Sequence, residues 1–403
     1  MYSLEMQASR LVSPMKTDAD LVIIGGGCAG LSLATRLLDY RTLNKKVIIL
    51  DARESYENDR TWCFWSKPSH RFDSIITKSW QKMSISFDGS KTVADCGQSP
   101  YQMLEAAHFY AFALDAIQRS NDVKLRLGVN VSGKPLPRGS CWQIETDQGP
   151  LTANYVVDTR PDLLPSVEDS MLWQSFLGHE IECQSAVFDP DIVQLMDFCP
   201  NNNDNIQFAY ILPISQTRAL VETTIFGRSR LNAADLADLQ SLNLARICGN
   251  AHYAIKRVEI GILPMRTTRP SAKSQPGYVQ AGLFHGGARP SSGYAFQRIQ
   301  RWADKCALAI SQNQPPCGHA PDRLLTSAMD GLFLKVLRAY PEKGAQIFTR
   351  LFEKVDAARI IRFLSDTGNL TDNIAVASAL PAALFFKQII SGISPKLVGG
   401  AAK

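Results

Sequence analysis

The chain has 403 residues, of which 45% are hydrophobic and 20% are charged, an ordinary composition for globular proteins. Its net charge of +5 is a mild excess, and nucleic-acid binders concentrate more basic charge, so no nucleic-acid partner is expected. No uninterrupted apolar run reaches the roughly 18 residues that a membrane span needs. A spanning protein is therefore not expected.

The nine cysteines form no C-x-x-C pair and show no spacing typical of a zinc site, so no metal centre is expected. Residues 1–20 lack the apolar stretch of a secretory signal. Both observations favour a cytoplasmic protein whose cysteines pack as small hydrophobic side chains.

The first predicted elements form a compact strand–helix–strand unit. Residues 20–24 are a short apolar run that ends in glycines, which is typical of a buried parallel strand. Residues 31–38 carry apolar side chains at helical spacing, and residues 46–50 form a second apolar strand. This pattern predicts a βαβ unit with a right-handed crossover.

The remaining chain predicts three parts of different character. Further elements are expected as a helix at 106–117, strands at 123–129, 141–146 and 154–158, a strand-rich stretch at 173–226, and helices beyond residue 330. We therefore predict an α/β protein with a discontinuous dinucleotide domain over 18–165 and 256–325. A sheet domain for the substrate is expected at 166–255, and a helical region that could face a membrane at 326–403.

A glycine motif between the first strand and the first helix is the strongest local signal. Gly25, Gly27 and Gly30 match G-x-G-x-x-G, and Asp51 ends the next strand 21 positions after Gly30. Gly25 permits the tight turn, Gly27 lets the backbone approach a pyrophosphate, and Gly30 lets helix pack on strand. The helix N-terminus attracts the phosphates, and Asp51 accepts from ribose hydroxyls. The alternative is a glycine turn in an α/β fold that binds no nucleotide.

The dinucleotide is predicted to be FAD rather than NAD because a second glycine cluster follows the strand-like residues 278–281. This cluster contains Gly282, Gly286, Gly287, Pro290 and Gly293. In flavoproteins with a divided Rossmann domain, such a late turn returns to the flavin. The alternative is a loop with many turn residues. The predicted fold is thus a Rossmann-type FAD-binding domain of the glutathione-reductase and hydroxylase kind.

Several strings then resemble, in order, the motifs of one family, the flavin-dependent lycopene cyclases. They are Asp51-Ala-Arg53, Asn58-Asp-Arg-Thr-Trp-Cys-Phe-Trp65, Val157-Asp-Thr-Arg-Pro161, Met196-Asp-Phe198, Leu212-Pro213, Glu222-Thr-Thr224, Gly261-Ile-Leu-Pro264 and Arg289-Pro-Ser-Ser-Gly-Tyr294. The resemblance adds Arg53 and Asp158 to the expected cofactor-binding residues. One departure is Arg289, where many relatives have histidine before the proline, so the subgroup stays open.

The resemblance implies a cyclase that turns the linear ψ ends of lycopene, or of a related carotene, into β-rings through a carbocation. It implies reduced FAD as a cofactor without net redox change and NAD(P)H as the reductant. Glu222, in an apolar strand-like segment, is the expected acid and base, because burial favours a protonated carboxyl. Alternatively it faces solvent or pairs with Arg218. Asp197 is the second candidate, orienting Glu222 or returning its proton, or else it caps a turn.

Trp62, Phe64 and Trp65 are candidates to line a substrate tunnel, although such residues are more often core. Residues 331–403 hold ten Lys or Arg and five Asp or Glu, and 374–386 is an apolar run broken by Pro381. This favours helices lying on a membrane surface, or a cap buried against the protein. Competing functions are an FAD monooxygenase or prenyl-chain reductase, and a quinone-linked dehydrogenase. The number of rings, the ring type and the oligomeric state stay open.

Overall fold

The computed structural model describes residues 17–40, 44–161, 172–198, 204–267 and 275–393. The described strands are β1 (Ala19–Ile24), β2 (Val47–Leu50), β3 (Thr61–Trp65), β4 (Lys78–Trp80), β5 (Lys82–Phe87), β6 (Ser90–Asp95), β7 (Tyr101–Glu105), β8 (Val123–Arg126), β9 (Leu136–Arg138), β10 (Cys141–Ile144), β11 (Leu151–Asp158), β12 (Leu172–Cys183), β13 (Ile192–Phe198), β14 (Ile206–Pro213), β15 (Arg218–Gly227), β16 (Tyr253–Met265) and β17 (Tyr278–Gln280). The described helices are α1 (Cys28–Leu37), α2 (Ala106–Gln118), α3 (Ala233–Cys248), α4 (Phe296–Ser311), α5 (Leu324–Ala339), α6 (Gly344–Lys354), α7 (Ala357–Leu364), α8 (Leu370–Ala379) and α9 (Ala382–Ile393).

The first sheet has the strand order β8-β2-β1-β11-β10-β9, with β17 pairing on β11. Strands β8, β2, β1, β11 and β17 run parallel, while β10 and β9 are antiparallel. Helices cover the central strands, so β2 is buried along its whole length and reads as a continuous apolar run. Helices α1, α2 and α4 share a core with this sheet. The predicted βαβ unit at the N-terminus is therefore confirmed.

The second sheet has the order β16-β12-β15-β14-β13-β5-β6, and a small third sheet has the order β3-β7-β4. Helix α3 packs on one face of the second sheet through Thr223, whose amide donates to Gln240. The predicted domain limits cut across this sheet: the boundary after residue 255 falls inside β16. Residues 82–95 were expected in the dinucleotide domain. They form β5 and β6 of the second sheet instead, and β5 pairs with β13 in parallel.

Helices α5 to α8 pack mostly against the protein. Leu334, Leu337, Ile347 and Phe348 share one core with the second sheet. The predicted helical C-terminal region is therefore present, and over α5 and α6 it is a cap buried on the sheet. The stretch 394–403 of the basic C-terminal segment lies outside the described residues. Among the described residues, no single helix has the length and apolar character to cross a bilayer. Helices α8 and α9 reach that length and composition only when taken together, and the pair is bent by 98°.

Candidate active site

The glycine turn after β1 has the geometry that a bound dinucleotide requires. Gly25 has a φ of +97°, and a Cβ on Gly30 would overlap the carbonyl oxygen of Gly25. A Cβ on Gly27, by contrast, would meet only Arg53, at 3.6 Å, among the described residues. The open side of the turn is thus at Gly27, immediately before the N-terminus of α1, where amide groups attract phosphates. These residues fit the pyrophosphate of FAD.

Asp51 and Arg53 stand beside this turn. The buried Asp51 carboxylate accepts from the Gly26 amide at 2.7 Å and from the Arg53 amide at 2.9 Å, one at each oxygen. Each oxygen keeps a lone pair for a ribose hydroxyl. The Arg53 guanidinium donates to the Tyr110 hydroxyl at 3.1 Å and lines the adjacent cavity.

The second glycine cluster returns to the first. Gly282 and Gly293 have φ values of +92° and +72°, and a Cβ on Gly282 would lie 3.3 Å from the Cβ of Ala29 in α1. Gly293 lines the cavity, whereas the buried Pro290 does not, although Ser291 next to it does. Arg289, the departure from the family pattern, is 1% exposed and pairs with Asp330 of α5 at 3.1 Å. It ties this turn to the C-terminal helices.

One continuous cavity of about 630 Å³ joins the two glycine turns to the second sheet. Gly27 and Arg53 stand at one end, and Glu222 stands on the sheet floor. Most of the wall is apolar or aromatic, including Trp62 and Phe176. A cofactor at the glycine turns and a substrate over the sheet would therefore share one space.

Two carboxyl groups meet on the floor of this cavity, over a glycine. Glu222 of β15 and Glu259 of β16 both pair in register with Gly178, on the strand β12 between them. Strands lie about 4.8 Å apart, so the two backbones are about 9–10 Å apart and each side chain must lean inward. A Cβ on Gly178 would lie 2.8 Å from Cγ of Glu222 and 3.1 Å from Cγ of Glu259. The missing side chain therefore makes room for the pair.

The surroundings give the two carboxyls different roles. Glu222 is 7% exposed; burial raises its pKa well above the ordinary range, and the charge of Glu259 and a hydrogen bond to it act in the same direction. Glu259 is 4% exposed and accepts from Arg257 at 2.6 Å and from the Thr61 hydroxyl at 2.8 Å. The raised pKa favours the protonated form of Glu222 beside a carboxylate that is paired with a guanidinium, an arrangement that suits a general acid.

The alternatives considered for Glu222 are resolved by the geometry. Glu222 is buried rather than facing solvent, and Arg218 pairs with Glu180, at 2.7 Å, rather than with Glu222. Glu259 is the residue that sequence reasoning missed. The sequence did contain a signal for it: Arg257 and Glu259 occupy alternate positions of β16, immediately before the motif that begins at Gly261. The sequence alone could not place that strand two positions from β15.

Asp197 does not orient Glu222. Its carboxylate pairs with Arg246 of α3 at 2.6 Å, on the face of the sheet that α3 covers. The cavity face of this strand is formed by its neighbours Leu195 and Met196. The carboxyl beside Glu222 is therefore Glu259, because β16, and not β13, reaches Glu222 across β12.

Two other expected contacts move to neighbouring residues. The Asp158 carboxylate forms an ion pair with Arg160, whose Nη2 lies 2.7 Å away. The adjacent Thr159 lines the cavity instead. Of the three aromatic residues on β3, only Trp62 lines the cavity, while Phe64 and Trp65 are core. Strand alternation explains why Trp62 and Trp65 point to opposite faces. It does not explain Phe64, which is on the same face as Trp62 but packs on Phe296, with 4.7 Å between ring centres.

A cluster of three tyrosines completes the wall next to the carboxyl pair. Tyr210 is directly opposite Glu222 on β14, and its hydroxyl lies 2.8 Å from that of Tyr101. Tyr101 also lies 3.3 Å from the hydroxyl of Tyr294. Burial raises the pKa of all three, so they are neutral phenols whose ring faces and dipoles border the cavity.

The fold and the site define a class of protein: an α/β protein with a Rossmann-type dinucleotide-binding fold and an inserted sheet. A geranylgeranyl bacteriochlorophyll reductase-like protein of Thermoplasma acidophilum has the same fold, with a TM-score of 0.60 at 12% identity over 92% of this chain and 98% of that chain. The flavin-dependent monooxygenase PieE, solved with FAD and substrate, has a TM-score of 0.57 at 13% identity over 92% of this chain and 72% of that chain.

The sequence comparisons identify the family. The model of the lycopene cyclase protein family matches residues 20–388, so the chain belongs to the lycopene cyclase family. It is 23% identical over 394 residues to a lycopene beta-cyclase of Pantoea ananas, with 91% of this chain and 96% of the relative covered. It is 26% identical to a lycopene beta-cyclase of a Paracoccus species, with 90% and 94% covered.

Proposed function

We propose that this chain is a lycopene β-cyclase, which closes the ψ ends of lycopene or a related linear carotene into β-rings. Membership of the lycopene cyclase family supports this substrate class. The observation that carries the proposal is the buried Glu222 beside Glu259 over Gly178, at the floor of an apolar cavity that raises the pKa of Glu222. A polyene has no polar groups to bind, so an apolar wall with one buried carboxylic acid suits it.

The reaction is an isomerisation in which one proton enters and one leaves. Glu222 donates its proton to the terminal double bond, which leaves a tertiary cation. The neighbouring double bond attacks this cation, and the new carbon–carbon bond closes a six-membered ring. The cation moves to a ring carbon, and the Glu222 carboxylate removes the adjacent proton to form the ring double bond. The acid is thereby restored, and no electrons are gained or lost.

The walls protect and stabilise the cation. The aromatic faces of Trp62, Phe176 and Tyr210 line the cavity, and a ring face attracts a nearby cation by about 0.5–2 kcal/mol. The apolar wall also limits the access of water, which would capture the cation. The Glu259 carboxylate, which pairs with Arg257 at 2.6 Å, adds a negative charge that favours the cation.

FAD is the proposed cofactor, held by Gly25, Gly27 and Gly30 at the pyrophosphate and by Asp51 at the ribose. Gly282 and Gly293 would border the flavin. When bound and reduced, FAD would supply electron density that stabilises positive charge. NAD(P)H is the proposed reductant that keeps it reduced. Because the isomerisation leaves the electron count unchanged, NAD(P)H is not consumed in proportion to product.

We also propose that the protein is cytoplasmic and meets its insoluble substrate at a membrane surface. The support is an exposed apolar set on the last two helices, where Ile374, Phe386 and Ile390 are 58%, 63% and 64% exposed. Helix α9 also carries Lys387, whose charge suits anionic lipid. Flotation with anionic liposomes tests this: Phe386→Ser should reduce the bound fraction, and unchanged binding would contradict the contact.

The activity is tested with purified protein and lycopene in liposomes under anaerobic NADPH, with pigments resolved by chromatography. The wild type should give ring-closed product, and Glu222→Gln should lose it while keeping FAD. Glu182→Gln is the matched control, since Glu182 lies on β12 but is exposed and paired with Lys256. Intact lycopene together with steady NADPH oxidation would instead favour a monooxygenase or reductase.

A further inference from the structure

A second, polar cleft of about 660 Å³ lies behind the carboxyl pair. Its lining includes Glu180, Arg218, Lys256 and Arg257, so it differs in character from the apolar cavity. Glu259 belongs to the lining of both spaces, whereas Glu222 lines only the apolar one. Glu259 therefore stands in the wall between the substrate space and a cleft that is open to solvent.

The charges around this wall balance when Glu222 is protonated. Glu180 accepts from Arg218 at 2.7 Å and from Arg257 at 2.9 Å, and Arg257 also donates to Glu259 at 2.6 Å. Two guanidinium groups thus face two carboxylates. Once Glu222 gives up its proton, the network carries an uncompensated negative charge in a buried place, and this charge draws a proton back.

The proposed cycle alone would restore Glu222 with a proton taken from the ring, so the same proton could circulate without reaching water. The structure offers a second route, because Glu222 and Glu259 lean together over Gly178, where their Cγ atoms lie 2.8 and 3.1 Å from the position of its missing Cβ, and Glu259 borders the cleft. Carboxyl groups pass protons along hydrogen bonds, while arginine keeps its protons at all working pH values. Two carboxyls, Asp59 and Glu259, line both spaces, and of these Glu259 is the one that interacts with Glu222.

We propose that Glu259 is a proton-relay residue, which exchanges the proton of Glu222 with water in the polar cleft between turnovers. In each exchange Glu222 passes its proton to the Glu259 carboxylate, and Glu259 passes it to cleft water. A proton from water returns by the same route. No bond other than oxygen–hydrogen changes, no electrons move, and the exchange adds nothing to the net reaction. The inference rests on the proposed cyclisation.

The test is ring closure in D₂O over many turnovers, with deuterium in the product measured by mass spectrometry. The wild type should place close to one deuterium in each new ring. In Glu259→Gln the amide cannot relay, so the label should fall towards one deuterium per enzyme molecule, however many rings have closed. A merely structural role would slow the reaction but keep full labelling, since slow turnover leaves more time for exchange.

Full labelling by Glu259→Gln would overturn the proposal, because it would mean that protons exchange through the cavity mouth. Glu182→Gln, which changes an exposed carboxyl on the same sheet, should label like the wild type. If the wild type closes no rings at all, the proposed function is wrong. Failure of the relay alone would leave ring closure by the wild type intact and would appear only in the labelling by Glu259→Gln.

If the Glu259→Gln variant closes no rings, a second measurement tests the relay without turnover. Cyclic carotene is bound to wild type and variant so that it fills the cavity, and both are transferred to D₂O. Infrared difference spectra follow the carbonyl stretch of the protonated Glu222, assigned by its loss in Glu222→Gln. This band should shift quickly in the wild type and at least tenfold more slowly in Glu259→Gln. Equal exchange rates would overturn the relay.

Discussion

Gly178→Ala tests whether contact between the two carboxyls matters for catalysis. The new Cβ would lie 2.8 Å from Cγ of Glu222 and 3.1 Å from Cγ of Glu259, closer than side-chain carbons approach. Both carboxyls are buried between β12 and the cavity, so they must separate rather than swing into water. The expected result is loss of their mutual hydrogen bond.

The magnitude follows from that bond. A hydrogen bond to a charged group contributes about 1.5–3 kcal/mol, and each 1.4 kcal/mol in the barrier changes a rate about tenfold. Ring closure should therefore slow by roughly 10- to 100-fold. Without Glu259 in contact, Glu222 keeps only the effect of burial, so its pKa should fall relative to the wild type. The loss of activity with rising pH should then begin at a lower pH in the variant.

The assay is the initial rate of ring closure in liposomes as a function of pH, with bound flavin followed by absorbance. Gly331→Ala is the matched control, because its Cβ would make only an ordinary contact, 3.4 Å from Cγ2 of Thr267. Overpacking costs about 1–3 kcal/mol of stability, so thermal unfolding is measured in parallel. A folded, flavin-bound Gly178→Ala with the wild-type rate and pH profile would refute the reasoning.

Three further predictions concern stability and cofactor binding. The folded wild type retains the Glu222 proton that the unfolded chain releases above pH of about 4.3, so its stability falls as pH rises from there towards the raised pKa of Glu222. In Glu222→Gln this decrease in stability, up to about 1.4 kcal/mol per pH unit, should be absent when the free energy of unfolding is measured with urea. Plots of unfolding free energy against pH that run parallel for the two proteins would contradict the prediction. Arg289→Met should cost about 3–5 kcal/mol by stranding Asp330, with much of the loss recovered in the double variant Arg289→Met/Asp330→Leu, as checked by urea unfolding. Gly30→Ala should lower both apoprotein stability and FAD content, whereas Gly27→Ala should weaken FAD binding alone, as calorimetry and flavin absorbance would show.

Local sequence patterns predicted the dinucleotide domain well. The apolar runs of β1 and β2, the glycines between β1 and α1, and Asp51 after β2 act over a span of about thirty residues, so chain-local rules suffice. Glu222 was chosen from its apolar segment together with the resemblance of Glu222-Thr-Thr224 to the family motif, because the segment alone left open whether the carboxyl faces solvent. These features are determined by neighbours in sequence.

The partner of Glu222 was decided only by the tertiary structure. Asp197 and Glu259 both lie on strands of the same sheet, and nothing in the sequence orders those strands. The observed order puts β16 two strands from β15 with Gly178 between, so Glu259 reaches Glu222, while Asp197 turns to Arg246 under α3. Side-chain partners across a sheet depend on strand order and register, and these follow from packing of the whole chain.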